Sequence, residues 1–217
     1  MARRGSYAKG VAKRDEILES ALEVIAREGY RGASVKELAD AVGLSQAGLL
    51  HYFDSKDELF TAILRKRDEV DSRRFGEVDA DPTPERLREG YVGVVRHNAE
   101  VPGLVQLFSR LAVEAGDPAH PAHDYFVERS AALRAMFART FEAQQQRGEL
   151  PHSVDADTLA RLVQAVSDGL QLQWLQDPTV DMAAAVDALF ALLGQDASAT
   201  ASEEVGPAGI EPTTSTV

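Results

Sequence analysis

Three features of this sequence predict an all-α fold of about nine helices. Apolar residues recur at intervals of three and four positions through nearly every segment, as in helices that bury one face. No stretch of useful length shows the alternation of apolar and polar residues that a half-buried strand requires. The segments are separated by residues that start and stop helices, such as Gly29, Thr83 before Pro84, and Gly148.

The predicted helices form a head and then a body. In the head, a first helix over about 12–28 is followed by two short helices and a longer one over 55–75. The stretch 76–82 contains Gly, Asp and Pro, breaks the periodicity and marks the boundary. We expect a basic, flexible leader over 1–11, a three-helix head with its connecting helix over 12–75, a helical body over 83–194 and a disordered tail over 195–217.

The body should contain five helices with broad apolar faces. Thr83 precedes the first, Pro102 opens the second, and a long third helix covers about 121–147. Asp155 and Asp181 are placed to cap the last two. Because these two are apolar on more than one face, they should form a subunit interface as well as a core, although a fully internal hairpin would give the same pattern.

Composition excludes several classes of protein. The chain is 44% hydrophobic and 27% charged, which is ordinary for a globular protein, and it has no apolar run of the roughly 20 residues that a membrane-spanning helix needs. It contains no cysteine, so disulfides, thiolate metal sites and cysteine nucleophiles are absent. The start of the chain lacks the apolar segment of a secretory signal. We expect a cytoplasmic protein with no membrane partner.

Charge is distributed unevenly along the chain. The net charge is −12, yet residues 1–67 carry a balance of +2 and the remaining residues a balance of −14. All five lysines lie in the first part: Lys9, Lys13, Lys36, Lys56 and Lys66. The asymmetry indicates that the amino-terminal part contacts a polyanion, while the rest is a solvated acidic body.

The segment 34–56 has the pattern of a helix-turn-helix. Ser34 with Glu37 forms one capping box, and Ser55 with Glu58 forms another. Between them, Ala39 and Gly43 stand four positions apart. A small side chain at Ala39 lets the second helix approach closely, and Gly43 can adopt the positive φ that the turn requires.

The helix after this turn is predicted to read DNA. Ser45 caps it, Leu49 packs it inward, and Gln46 can both donate to and accept from an adenine edge in the major groove. Lys56, in the first turn of the next helix, is placed to hold a phosphate. The predicted DNA-contacting residues are Ser34, Lys36, Ser45, Gln46, Ala47, Gly48, His51, Tyr52 and Lys56.

Residues 12–64 resemble the amino-terminal domain of the tetracycline-repressor (TetR) family. The resemblance is carried by Ile17-Leu18-x-x-Ala21, Glu28-Gly29-Tyr30, Ser34-Val35-x-x-Leu38-Ala39, Gly43-Leu44-Ser45, His51-Tyr52-Phe53 and Ser55-Lys56-x-Glu58-Leu59. It departs at Leu50, where the family often has tyrosine, so a phosphate contact from that position is lost. The run from Val166 to Pro178 also resembles the dimer-helix region of one branch of the family.

The resemblance implies a homodimer that reads two successive major grooves of a near-palindromic double-stranded DNA operator. It also implies a repressor whose body binds an unknown small-molecule effector, which moves the helix beginning at Ser55. An activator or a ligand-independent regulator would fit the same sequence, and a helical enzyme or carrier is a remote alternative. The basic residues near the amino terminus could follow the DNA backbone or enter a minor groove, or they could belong to an unstructured tail: Arg3, Arg4, Lys9, Lys13 and Arg14.

The body offers candidates for a ligand pocket and an interface. Asp168, in an apolar helix, could face the ligand, but we expect it to pair with Arg161 or Arg134 instead. The expected pocket residues are Tyr91, Phe108, Tyr125, Phe137, Gln171 and Trp174. The expected dimer-interface residues are Leu162, Val166, Leu170, Val186, Leu189 and Phe190.

We expect neither a metal site nor a catalytic centre. His120, His123 and Asp124 lie close together in sequence, but they occupy a predicted helix start, where such residues serve as caps and surface groups. No phosphate-binding glycine loop, serine elbow or zinc-protease motif occurs. The sequence therefore predicts a regulator that is not an enzyme and needs no cofactor.

Overall fold

The all-α prediction is confirmed. The computed structural model describes the backbone of residues 2–75 and 83–203, and it places side chains over 9–29, 33–75 and 83–194. That part of the chain forms nine helices. They are α1 (Ala2–Gly32), α2 (Val35–Ala41), α3 (Gln46–Leu50), α4 (Lys56–Phe75), α5 (Pro84–Asn98), α6 (Pro102–Glu114), α7 (His123–Gln146), α8 (Ala156–Gln176) and α9 (Met182–Glu203). None of the described helices has the length and apolar character needed to cross a membrane.

The predicted capping residues begin the body helices. The Thr83 hydroxyl accepts a hydrogen bond from the backbone N–H three residues later at 3.3 Å, and Pro84 occupies the first turn of α5. Asp155 and Asp181 accept equivalent bonds, each at 2.9 Å, at the starts of α8 and α9. Each side chain satisfies a backbone donor that has no partner within the helix, which fixes where the helix starts.

Two helices extend beyond the predicted limits. Helix α1 begins at Ala2, so the backbone of the expected flexible leader is helical, and it continues past a kink at Gly29, where φ is 74°. Helix α9 continues to Glu203, into the expected disordered tail. In both cases a helix that packing has already nucleated is prolonged at little further cost. The predicted boundary at 76–82 and the tail from 204 onward lie outside the described residues.

The head and the body share one apolar core. Ile25 of α1, Leu49 of α3 and Ile63 of α4 are fully buried in it. The same cluster continues into the body through Leu107 of α6 and Tyr125 of α7. The chain therefore passes from head to body without a gap in the packing, and a shift of α6 or α7 is felt by the head.

A polar contact joins α4 to α7 beside this core. The Asp68 carboxylate on α4 accepts a hydrogen bond from the Tyr125 hydroxyl at 2.7 Å and another from Arg129 Nε at 3.0 Å. Burial raises the pKa of the Tyr125 hydroxyl, and the nearby Asp68 charge adds to the effect, so the hydroxyl stays a donor. Burial opposes the charge of Arg129, but Asp68, with the hydroxyls of Tyr125 and Tyr91, outweighs it and raises the pKa of the guanidinium.

Two further contacts hold α4 along its length. Lys66 is only 3% exposed, and its ammonium contacts Asp15 of α1. That hydrogen bond raises the pKa of Lys66. Arg67, the next residue of α4, donates to Asn98 at the end of α5 and lies 3.5 Å from Asp71. Helix α4 is thus held by polar contacts to α1, α5 and α7.

Replacing the Asp68 carboxylate by an amide should destabilise the chain. Asp68→Asn removes the charge that Arg129 faces in a partly buried site, so we expect the free energy of unfolding in urea to fall by about 2 kcal/mol. The control is Glu128→Gln, whose partner Arg65 lies 3.3 Å away at the exposed surface. Such a pair contributes less than about 1 kcal/mol. Equal losses in the two variants would show that Asp68 does not anchor α4.

Candidate nucleic-acid interface

Helix α2 and the turn after it match the predicted helix-turn-helix. The Ser34 hydroxyl accepts from the Glu37 N–H at 3.3 Å, and the Glu37 carboxylate accepts from the Ser34 N–H at 3.1 Å, which completes the capping box. Gly43 has a φ of 67°, and Leu44 N–H closes the turn onto the Ala39 carbonyl at 2.9 Å. Ala39 is 1% exposed, so the close approach of the two helices requires its small side chain.

Helix α3 is fixed on one side and open on the other. Its Ser45 cap accepts from the Gly48 N–H at 3.0 Å, and Leu49 anchors it in the core with no exposed surface. Gln46, Ala47 and His51 are exposed to solvent. A short helix whose polar side faces outward from a buried anchor can enter a major groove without rearranging the domain.

All nine predicted DNA-contacting residues are accessible. Ser34, Lys36, Ser45, Gln46, Ala47, His51 and Lys56 are exposed, and Gly48 and Tyr52 are half-buried. These residues come from the first turn of α2, from α3 and the residues around it, and from the start of α4. The direct contacts themselves remain a prediction, because they require the DNA.

The lysines of the head differ in whether they have an anionic partner. Lys13 pairs with Glu16 at 2.8 Å, and Lys66 is held by acidic residues of α1. Lys36 and Lys56 make no ion pair with any side chain that the structure describes. The Lys56 ammonium lies 5.3 Å from the centre of the Phe60 ring, at the amino terminus of α4. Its charge is available for a phosphate.

The second capping box is only half formed. The Ser55 hydroxyl accepts from the Glu58 N–H at 3.0 Å, as predicted. The Glu58 carboxylate, however, accepts from the Asp54 N–H and pairs with Arg14 of α1 at 3.2 Å. Glu58 thus ties α1 to the start of α4, a role that its position in a capping box did not indicate.

Arg14 makes contacts within the head. Its guanidinium lies 4.7 Å from the centre of the Phe53 ring and pairs with Glu58. Phe53 is 3% exposed and follows α3 directly. Arg14 therefore joins α1 to the segment after α3 and to the start of α4, and the DNA contact of the basic residues near the amino terminus stays a prediction.

Two of the cavities that involve the body are lined by four of the six predicted pocket residues. A smaller one, of about 170 Å³, lies between α5, α6, α7 and α8, and Tyr91, Phe108 and Gln171 line it. A larger one, of about 1070 Å³, lies between α4, α5 and α7, and Tyr91 and Tyr125 line it. Arg129 borders both cavities. Because Arg129 also bonds to Asp68, these cavities adjoin the contact that holds α4.

The other two predicted pocket residues belong to the core. Phe137 has no exposed surface, and its ring stacks on Phe141 with centroids 6.0 Å apart. Trp174 is 8% exposed and packs among valines of α5, α6 and α9. Their apolar side chains fit a core as well as a pocket wall, so sequence alone did not separate the two. The pocket prediction is corrected at both positions.

Asp168 lies at the smaller cavity, and its predicted pairing is wrong. Arg134 and Arg161 both pair with Asp157, each at 3.2 Å. Asp157 lies one turn before Arg161 on α8. Asp168 is exposed at the cavity mouth, yet the protein around it disfavours its charge and raises its pKa, an effect that Arg129 partly offsets. The alternative reading, in which Asp168 faces a ligand cavity, agrees with this position.

The predicted interface residues divide into exposed and buried groups. Leu162 and Val166 of α8 are 49% and 38% exposed. Val186 has no exposed surface and lies in the core of its own chain, so it is not an interface residue. Leu170, Leu189 and Phe190 are half-buried against the same core clusters. Leu192 of α9 is 61% exposed. It was not predicted as an interface residue, although its apolar side chain on a helix expected at the interface indicated one.

The histidines before α7 are used in local structure. His120 Nδ1 accepts a hydrogen bond from the Ala122 N–H at 3.1 Å, and His123 Nδ1 donates to the Ala115 carbonyl at 2.9 Å. Asp124 lies in the first turn of α7. Among the described residues, no group of three or more histidine or acidic side chains could hold a metal ion.

Two residues that link the cavities to α4 had no signal in the sequence. Asp68 and Arg129 are 61 positions apart and belong to different helices. Each has the charge of an ordinary surface residue, and no motif includes either. Only the packing of α7 against α4 brings them together.

Comparison with known proteins agrees with this geometry. Residues 17–63 match the family described as bacterial regulatory proteins, tetR family. Residues 117–195 match the family described as the BetI-type transcriptional repressor, C-terminal. The first match contains the helix-turn-helix, and the second contains α7, α8 and most of α9.

Individual proteins resemble the chain over most of its length. The HTH-type transcriptional repressor Rv1474c of Mycobacterium tuberculosis is 32% identical over 73% of this chain and 80% of its own. The HTH-type transcriptional repressor AcnR of Corynebacterium glutamicum is 31% identical over 74% of this chain and 81% of its own. The crystal structure of a transcriptional regulator from Rhodococcus sp. Rha1 superimposes with a TM-score of 0.65 at 25% identity, covering 84% of this chain and 96% of that one.

A side chain at Gly43 should destabilise the head. Gly43→Ala forces a non-glycine residue into the left-handed region, so we expect the free energy of unfolding to fall by about 1–2 kcal/mol. Gly10→Ala is the control, since Gly10 lies in α1 without positive φ and an added Cβ there would meet nothing within 4 Å. That change should be neutral or stabilising by up to about 1 kcal/mol. A Gly43→Ala variant as stable as the wild type would contradict the assigned turn.

Lys56 and Gln46 should affect DNA binding in different ways. Lys56→Ala should weaken binding to all duplexes alike and reduce the slope of log affinity against log salt by about 1. Gln46→Ala should change which operator variants are preferred, at about 1–3 kcal/mol for the base it reads. Fluorescence anisotropy with duplexes from the chain's own promoter, over a salt series, measures both.

Arg147→Ala is the control for charge alone. It removes one positive charge at the far end of α7, where Arg147 pairs with Glu149 at 2.7 Å. We expect its salt slope to equal that of the wild type. If the salt slope of Lys56→Ala equalled that of this control, the predicted contact between Lys56 and a DNA phosphate would be wrong. If Gln46→Ala left the ranking of operator variants unchanged, α3 would not be the reading element.

Proposed function

The chain belongs to the TetR family of bacterial regulatory proteins and is a DNA-binding transcriptional repressor, and we propose that it acts as a homodimer that a small molecule releases from a near-palindromic operator. The observation that carries the proposal is the open side of α3. Leu49 is fully buried beneath it, while Gln46, Ala47 and His51 are exposed. Binding to DNA places the working protein in the cytoplasm, and the proposal includes no catalytic step.

Release is proposed to act through α4. Arg129 borders the cavities of about 170 Å³ and about 1070 Å³, and its side chain donates to Asp68 in the middle of α4. A ligand that moves Arg129 changes how α7 holds α4, which begins at Lys56 beside the recognition helix. For the ligand to lower DNA affinity, it must bind more tightly to the conformation in which the two heads are wrongly spaced.

The dimer is proposed to form through α8 and α9. On α8, Leu162, Val166 and Gln173 fall on one side of the helix and are exposed, whereas the cavity residues lie on another side. On α9, Leu192 adds exposed apolar surface. Apolar side chains exposed together on neighbouring helices favour burial against a second copy. Such a dimer would hold two recognition helices roughly 34–36 Å apart, one turn of DNA.

The experiment for the function combines binding and expression. Anisotropy with the chain's own promoter duplex should show salt-sensitive, sequence-dependent binding that a scrambled duplex does not compete for efficiently. A reporter driven by that promoter should be more active in a strain lacking the chain. Lower reporter activity in the deletion strain would make the protein an activator. No salt-sensitive binding to any promoter fragment would refute the assignment.

A charge on the exposed face of α8 should separate the subunits. Leu162→Asp places a carboxylate where the proposed interface excludes water, so we expect the dimer dissociation constant to rise by about 100-fold or more. Sedimentation equilibrium measures the change. The control is Val127→Asp on α7, since Val127 is 54% exposed and lies outside the proposed interface. A Leu162→Asp variant that remained dimeric would place the interface elsewhere.

A further inference from the structure

The smaller body cavity contains a polar atom that lacks a partner. Gln171 is 9% exposed, and its Oε1 atom forms no hydrogen bond with any group that the structure describes. The residue lines the cavity between α5, α6, α7 and α8. Buried side-chain oxygens are almost always hydrogen-bonded, because an unmade bond costs free energy. Oε1 has almost no accessible surface, so a half-turn of the Gln171 amide, which exchanges Oε1 and Nε2, is needed to present the oxygen to a hydrogen-bond donor in this cavity.

A second acceptor lies one turn away. Asp168 precedes Gln171 by three positions, so both side chains lie on the same side of α8. Asp168 lines the same cavity and forms no ion pair with any described side chain. Two acceptors without donors are therefore presented side by side, one of them a carboxylate.

The cation that faces the cavity is already matched. Arg129 Nε donates to both oxygens of Asp68, at 3.2 and 3.0 Å, and the guanidinium lies 4.9 Å from the centre of the Phe108 ring. A ligand carboxylate would have to compete with Asp68 for this group and would also face the Asp168 charge. The cavity is therefore electrostatically unsuited to an anion.

The remaining walls are largely apolar and aromatic. Tyr91, Phe108, Phe126 and Leu133 line the cavity. The volume of about 170 Å³ corresponds to roughly five or six water molecules at about 30 Å³ each. That space accommodates a molecule with one ring and a short side chain. Aromatic faces also attract a neighbouring ammonium group.

We propose that this cavity binds a small organic cation, a primary amine on a single-ring or similarly compact apolar body. The ammonium group donates to the Asp168 carboxylate and to Gln171 Oε1, and the ring packs between Phe108 and Leu133. The inference rests on the proposed function, because it names the chemical class of the effector that acts at the body cavity.

The test compares three probes of similar size that differ in their head group: 2-phenylethylamine, 2-phenylethanol and phenylacetate. The thermal unfolding of the full-length chain is followed with each probe. Because a ligand that binds only the folded state raises Tm, 2-phenylethylamine in large excess over its Kd should raise Tm by about 5 °C. The alcohol should give a smaller rise, and phenylacetate none. An equal or larger rise with phenylacetate, or no rise with the amine, overturns the proposal.

Variants on α8 locate the binding. Asp168→Asn should weaken binding of the amine at least tenfold. Gln171→Leu should reduce the rise in Tm that the amine causes. The same change should make the ligand-free chain more stable, since it removes an unpaired polar atom. Asp157→Asn is the matched control, because Asp157 lies on α8 but pairs with Arg134 and Arg161 away from the cavity. A full amine response in Asp168→Asn overturns the assignment.

The fluorescence of Trp174 gives a second readout. It is the only tryptophan in the chain and lies one turn beyond Gln171 on α8. A saturable change with 2-phenylethylamine should be weakened in Asp168→Asn and retained in Asp157→Asn. Binding to the promoter duplex is measured separately without amine. If the duplex is bound but no amine response occurs, the ligand class alone is wrong. If the protein responds to the amine but binds no duplex, the proposed function is wrong.

Discussion

The Asp68 carboxylate is the interaction on which the arrangement of head and body depends. It accepts hydrogen bonds from Tyr125 and Arg129 of α7, although it belongs to the helix that begins beside the DNA-reading segment. Apolar packing alone would hold α4 against the head without fixing its position relative to α7, because apolar contacts have little directionality. A charged acceptor between two donors has a preferred geometry. It therefore makes the position of α4 sensitive to Arg129, and so to anything bound in the cavities that Arg129 borders.

Three sides of helix α8 face different surroundings: the core, the proposed partner subunit and the smaller cavity. Val163 and Trp174 face the core, Leu162 and Val166 are exposed for a partner, and Asp168 lies on the cavity side. Positions three, four and seven apart share a side of a helix, so one sequence can serve all three surfaces at once. The consequence is mechanical: a ligand that contacts one side of α8 acts on the same rigid element that the proposed dimer uses. Coupling between ligand and dimer geometry then requires no additional segment.

The basic side chains of the head fall into two groups, those that pair with carboxylates of the protein and those that do not. Arg14 and Lys66 are paired with carboxylates and hold α1 to the start and middle of α4. Lys36 and Lys56 remain without anionic partners in the described part of the chain. A cation that already has a partner gains little from a phosphate, whereas one left in solvent can release a counterion when DNA binds. The net acidity of the protein is therefore compatible with DNA binding, because only a few lysines at the reading surface need to be free.

Local signals in the sequence determined the helices, their caps and the helix-turn-helix. Ser34, Ser45 and Asp155 cap the helices they were predicted to cap, and Gly43 has the positive φ that its place in the turn requires. These features depend on neighbours within four residues, so spacing alone reveals them.

Tertiary structure decided which apolar and charged side chains of the body are core, cavity or surface. Phe137 and Val186 are buried in the core, although they were expected at a pocket and an interface, and Asp168 borders a cavity rather than pairing with an arginine. An apolar side chain suits a core, a pocket wall and an interface equally well, and a charged one pairs with whichever group packing brings near it. The physical reason is that such contacts join residues far apart in the chain, and no local pattern records them.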